Sequence, residues 1–165
     1  MDHLKSLICG NIFSRLDYCN GLFYGLNASS ISKLQRVQNA AARLIKSKCQ
    51  GKSLDDVFAD CHWLKIPERV IYKILTVTHK CIIHEAPETL CLLINFAEMD
   101  RTLRLCESRV QSSYGDRAFG HVAPKLWNLL PFHIRNDFCT DSFKKKLKSF
   151  LLVNGQTIIA QAKLT

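Results

Sequence analysis

The sequence lacks several features that would assign it quickly. No run approaches the ~18 consecutive apolar residues of a membrane-spanning helix, so no helical span is expected. No CxxC pair occurs, which removes the commonest zinc and dithiol spacings. Phosphate-cradling glycine loops, internal repeats and low-complexity tracts are absent. No secretory leader is expected either, because the apolar run after Leu4 is broken by Gly10, Asn11 and Arg15. Acids are scarce, 14 against 23 Lys and Arg, giving a net charge of +9.

What is present points to a helical, basic, core-forming chain. With 47% apolar residues in 165 it can bury a real core, and nothing suggests wholesale disorder. Charge is unevenly spread: about +5 over residues 1–50, −3 over 51–100 and +7 over 101–165. Two basic regions flanking a near-neutral one suit phosphate backbones as partners. Eight cysteines, at 9, 19, 49, 61, 81, 91, 106 and 139, are scattered through apolar stretches. They read as reduced, mostly buried thiols of an intracellular protein, nuclear or cytoplasmic.

The organising stretch is LQRVQNAAARLI, Leu34 to Ile45. Ile31, Leu34, Val37, Ala41, Leu44 and Ile45 recur at helical spacing and share a side, with Lys33, Arg36 and Arg43 roughly opposite. Ser29 or Ser30 supplies the cap. An ordinary amphipathic core helix would look the same.

Residues 3–24 form a mostly apolar helix, weakened at Gly10 and stopped at Gly25, with Leu4, Leu7, Ile8, Ile12, Leu16 and Cys19 near one face. Its uncapped start is what a truncated chain would show, and equally a packed terminal helix. Ser53 caps a short helix to Cys61 with Asp55 and Asp56 in its first turn. Pro67 opens the best amphipathic helix, whose stripe runs Val70, Ile71, Ile74, Leu75, Thr78, Cys81, Ile82. Pro87 starts another helix that ends before Met99. Residues 101–116 read as a loop with room for one short β-hairpin. Arg117 to Leu130 is helical, bent or restarted at Pro124. Thr140, Asp141 or Ser142 caps the last helix, with Phe143, Leu147, Phe150 and Leu151 inward and Lys144, Lys145, Lys146 and Lys148 outward. The fold class is therefore mainly α, about six helices in a small bundle.

In order along the chain stand SRLDYCNGLFYGL (14–26), LQRVQNAAARLI (34–45), CHWLKIPERVIYKIL (61–75), YGDRAF (114–119), APKLWNLLP (123–131) and SFKKKLKSFL (142–151). This series resembles the C-terminal end of a LINE-type, non-LTR retrotransposon reverse transcriptase, downstream of the polymerase palm. The resemblance spans roughly residues 7–152. It implies a thumb-like segment over residues 1–50 and a C-terminal helical domain over 51–153; the tail over 154–165 lacks the family pattern and, as a chain terminus, is expected to fray. In such polymerases the helix matching Leu34–Ile45 lies near template and primer. Two departures mark drift: Lys65 stands where relatives place Pro after HWL, and Thr89 where an aromatic is usual.

No catalytic residue is assigned. A reverse transcriptase holds two metal ions on palm carboxylates, typically an Asp-Asp pair after an aromatic residue. Tyr114-Gly115-Asp116 is followed by Arg117, a cation in place of the second acid. Asp55-Asp56 pairs two acids at a helix start, where dipole stabilisation explains them. For zinc, Cys81 and His84 stand three apart and Cys61 adjoins His62, but no second ligand pair follows at finger spacing, so no metal and no cofactor is expected. A Cys–His nucleophile carries no recognisable signature here. Trp63 and Trp127 sit in apolar motifs and read as core.

Binding is what is left. Lys33, Arg36, Arg43, Lys46 and Lys48 line one candidate surface, Lys144, Lys145, Lys146 and Lys148 a second, and Arg101, Arg104 and Arg109 a third. The reading is a non-enzymatic fragment resembling the end of an RNA-directed DNA polymerase, gripping RNA or DNA backbones without sequence choice. No membrane and no small-molecule substrate is expected. The alternative is a structural or protein-interaction domain, or a decayed retroelement product that binds nothing.

Overall fold

A computed structural model describes residues 2–46, 53–97, 102–108, 112 and 114–163. The protein is mainly helical, with no strand among the described residues. In chain order the helices are α1 (Asp2–Ile8), α2 (Ser14–Leu16), α3 (Ala28–Lys46), α4 (Leu54–Asp60), α5 (Ile66–Ile82), α6 (Glu88–Cys91), α7 (Phe119–Asn128), α8 (Phe132–Arg135) and α9 (Thr140–Lys163). Packing divides the chain into two units, Met1–Val70 and Ile71–Thr165, so the division falls inside α5.

In the first unit the core gathers Ile8, Phe13, Leu16, Ala41, Ala42, Ile45, Val57, Phe58, Trp63 and Ile66. Trp63 meets Phe13 and Phe58 edge-on, with ring centroids 4.5 and 6.2 Å away. Arg69 lies over the Phe13 ring at 4.5 Å and pairs with the Asp17 carboxylate through Nε at 2.8 Å and also through Nη2. The opening helix is not continuous. Between α1 and α2 it widens into a π turn, Cys9–Phe13, at the weak point marked by Gly10. Ile8 and Leu16 of the expected face are buried and Phe13 joins them, whereas Leu7 and Cys19 are exposed. The helix ends at Leu16, well short of the stop expected at Gly25; a 3₁₀ turn, Asn20–Phe23, follows it, and Gly25 comes after that turn with φ of +71°, a conformation glycine adopts without strain.

α4 begins as expected. Ser53 Oγ accepts from the Asp56 amide at 3.1 Å, and Asp56 Oδ2 accepts from the Ser53 amide at 2.8 Å, a complete capping box. The α3 cap differs from expectation: Asn27 Oδ1, not Ser29 or Ser30, accepts from the Ser30 amide at 2.8 Å.

The second unit buries Ile74, Leu75 and Cys81 of α5, Val122, Ala123, Leu126 and Trp127 of α7, and Phe143, Leu147, Leu151 and Ile158 of α9. His79 stacks on Phe143 at 4.1 Å, and Trp127 stacks on the same ring at 5.7 Å. Pro124 sits inside α7. Proline there removes the bond that its amide would have given to Gly120. Gly120 itself fits because a Cβ would come within 3.3 Å of the Leu93 carbonyl oxygen. α6 is shorter than expected and leaves Leu92 and Leu93 exposed.

In place of a hairpin, the described residues hold one antiparallel bridge, Phe96 with Leu105. On the edge of Leu105 that faces away from this bridge stands the Asn128 side-chain amide. Its Oδ1 accepts from the Leu105 amide at 2.9 Å and its Nδ2 donates to the Leu105 carbonyl at 3.0 Å. The tail also departs from the fraying expected of it: α9 runs through Asn154-Gly155 to Lys163, with Gly155 and Ile158 buried. Burial of thiols is less general than expected. Among the described cysteines all are free, Cys81 alone is buried, and Cys19, Cys106 and Cys139 are exposed. No helix of the described residues is long and apolar enough to cross a membrane.

Candidate nucleic-acid interface

α3 contains no acidic residue over its length. Lys33, Arg36 and Arg43 are exposed and stand at i, i+3 and i+10, so they share one side of the helix over ~15 Å of axis. Lys46 closes α3, but its side chain lies outside the described residues, as do Lys48, Arg101 and Arg109. Arg104 is described and exposed.

The orientation of α3 is set from behind by two glutamines. Gln38 is fully buried, and its Nε2 donates to the Leu64 carbonyl at 2.8 Å. Gln35 Oε1 accepts from the Ile66 amide at 2.9 Å, while its Nε2 donates to Gln38 Oε1 at 3.0 Å and Asn39 Oδ1 at 2.9 Å. These bonds satisfy backbone groups between α4 and α5 that would otherwise be stranded in the core, where an unpaired one is costly. Sequence reasoning missed both residues. The available signal was two polar residues one turn apart among Leu34, Ala41 and Ala42, on the side that the fold buries.

The same geometry corrects the apolar stripe. Ala41, Ala42 and Ile45 are buried as a core face requires, but Val37 and Leu44 are exposed to 49% and 53%. The buried arc is centred on Gln38, roughly 50° around the helix from where a purely apolar reading centres it. Val37 and Leu44 therefore stand beside the cations.

The α9 lysines are arranged differently. Consecutive residues project ~100° apart around a helix, so Lys144, Lys145 and Lys146 fan out and cannot make one row. Two of them are also engaged. Lys146 Nζ lies 2.6 Å from Asp137 Oδ2, and Lys144 Nζ lies 3.6 Å from Asp141 Oδ1. The Lys146 ammonium, the Ser142 hydroxyl and the Cys139 amide hold the Asp137 carboxyl down to about 2. Lys145 and Lys148 are exposed.

The acids and thiols weighed for chemistry have structural occupations. Asp56 closes the α4 cap and Asp55 pairs with Lys65 at 2.9 Å. Asp116 lies exposed in a 3₁₀ turn, Gly115–Arg117. Burial and the adjacent Cys91 thiol push the Cys81 thiol up to about 12, which keeps it protonated at neutral pH. Trp63 and Trp127 are both core residues, the latter donating from Nε1 to the Leu103 carbonyl at 2.9 Å. Among the described residues no three His, Cys, Asp or Glu side chains gather where a metal could be held.

Comparison of the chain with protein-family models, with curated proteins and with solved structures gives no match.

Proposed function

We propose that the protein is a non-catalytic nucleic-acid-binding piece, resembling the thumb and post-polymerase end of a LINE-type reverse transcriptase, that grips RNA or DNA backbones through α3. The observation that supports this most is the row Lys33, Arg36, Arg43 on a helix without a single acid. Exposed cations with no carboxylate on their own helix keep their full field for an incoming polyanion. Such contacts bring affinity and salt sensitivity but no choice of sequence, and micromolar or weaker dissociation constants are the ordinary range. Lys145 and Lys148 of α9 would add a weaker, separate contribution.

Filter binding of a single-stranded RNA and a duplex DNA, repeated over a salt series, tests the reading. Reversing Lys33, Arg36 and Arg43 to glutamate should flatten the logarithmic salt slope on duplex by about 2–3 units. Unchanged affinity and slope in that triple variant would remove α3 from the interface. A second reading, a protein-interaction domain, draws its support from the exposure of Val37 and Leu44 beside the cations.

A further inference from the structure

The exposed side of α3 carries more than charge. Lys33, Val37, Ala40 and Leu44 follow one another at steps of four, three and four residues, the spacing by which one helix offers a continuous stripe to another. All four are exposed, and the alanine in the middle lets a second backbone come close. Arg36 and Arg43, seven residues apart, run along one edge of the stripe. At the other edge the helix turns inward at Ala41 and Ile45.

The chemistry narrows what can cover this stripe. A second copy of α3 would set arginines against arginines with no acid on either helix to offset them. A phosphate backbone would answer the arginines and leave Val37 and Leu44 in water. An amphipathic helix with acids beside its apolar stripe answers both at once. We propose that α3 docks such a helix from a protein partner, its apolar stripe covering Val37, Ala40 and Leu44 and its flanking carboxylates pairing with Arg36 and Arg43. This goes beyond backbone binding, because it uses side chains that a polyanion does not need. The two ligands would compete for the same arginines.

The probe is a labelled synthetic helix of about three heptads, leucine along its stripe and glutamate at both edges, titrated into the full chain by fluorescence anisotropy. Saturable binding is expected, weakened at least ~10-fold by the pair V37Q/L44Q and by the pair R36E/R43E. Exchanging the peptide's glutamates for lysines should cost a similar factor, an arm that needs no protein variant. The V37Q/L44Q protein should still bind an oligonucleotide as the parent does, which separates this proposal from the backbone reading. Binding of the peptide unchanged by V37Q/L44Q, or matched by an unstructured polyglutamate of equal charge, would overturn it. So would an absence of peptide binding in a chain that retains the oligonucleotide, which would leave the surface to nucleic acid alone.

Discussion

α3 and α9 both display a run of cations, yet only α3 turns that run into a surface. On α3 the basic residues recur at helical spacing, no acid shares the helix, and a glutamine pair, Gln38 buried and Gln35 half-buried, fixes which way they look. On α9 three lysines are consecutive and diverge around the axis, and Lys144 and Lys146 are tied to Asp141 and Asp137. Density of charge in a sequence is therefore a poor guide to a binding face. Spacing and the whereabouts of the nearest acids decide it.

The comparison breaks first where its helices are anchored. Phe143 is fully buried between His79 and Trp127. Phe143→Ala should cost about 3–5 kcal/mol in urea unfolding monitored by tryptophan fluorescence, through the lost transfer energy and the cavity left behind. A cost below 1 kcal/mol would mean α9 is not held by this ring.

Gln38→Ala should cost about 1–3 kcal/mol, because the Leu64 carbonyl loses its buried donor. Its more telling readout is binding: with α3 less firmly oriented, oligonucleotide affinity should fall although no cation was touched. If stability drops and affinity does not, the glutamines hold the fold without aiming the face.

Direct reversal sharpens the contrast. Arg36→Glu with Arg43→Glu should weaken oligonucleotide binding ~10-fold or more at low salt, whereas Lys145→Glu with Lys148→Glu should weaken it about two- to threefold. Equal losses from the two pairs would erase the distinction between the helices.

The smallest effect expected is on acid stability, and it belongs to the α9 side. Asp137 is held down to about 2 from 3.8, so its stabilisation is complete above the unfolded value and is lost as pH falls from about 4 toward 2. His79 is shifted the same way, chiefly by burial: its Nε2–H donates to the Asp137 carbonyl at 2.7 Å while its buried Nδ1 has no partner. A histidine lowered from 6.5 contributes stability that is full above that value and declines as pH drops below it. Thermal melts should therefore show a decline starting near pH 6.5 that His79→Gln removes, and a steeper one below pH 4 that Lys146→Ala reduces. Melting temperatures flat from pH 7 to 5 in the parent would contradict the assignment to His79.

The sequence by itself determined the parts of this protein that depend on neighbours along the chain. The Ser53 capping box, the stripe of α5 from Val70 to Cys81 and the inward set Phe143, Leu147, Leu151 were legible because helical period and terminal amides are local properties. The absence of acids on α3 was legible for the same reason. What only the tertiary structure decided is where each helix turns its back. Gln38 went inside because a distant carbonyl at Leu64 needed a donor, and that turned Val37 and Leu44 outward beside the arginines. Asn128 bonded the Leu105 backbone, and Asp137 reached Lys146, through contacts between residues far apart or out of helical step. Period tells which residues travel together around a helix. The placement of buried polar groups, which must find partners wherever the fold provides them, tells which side faces water.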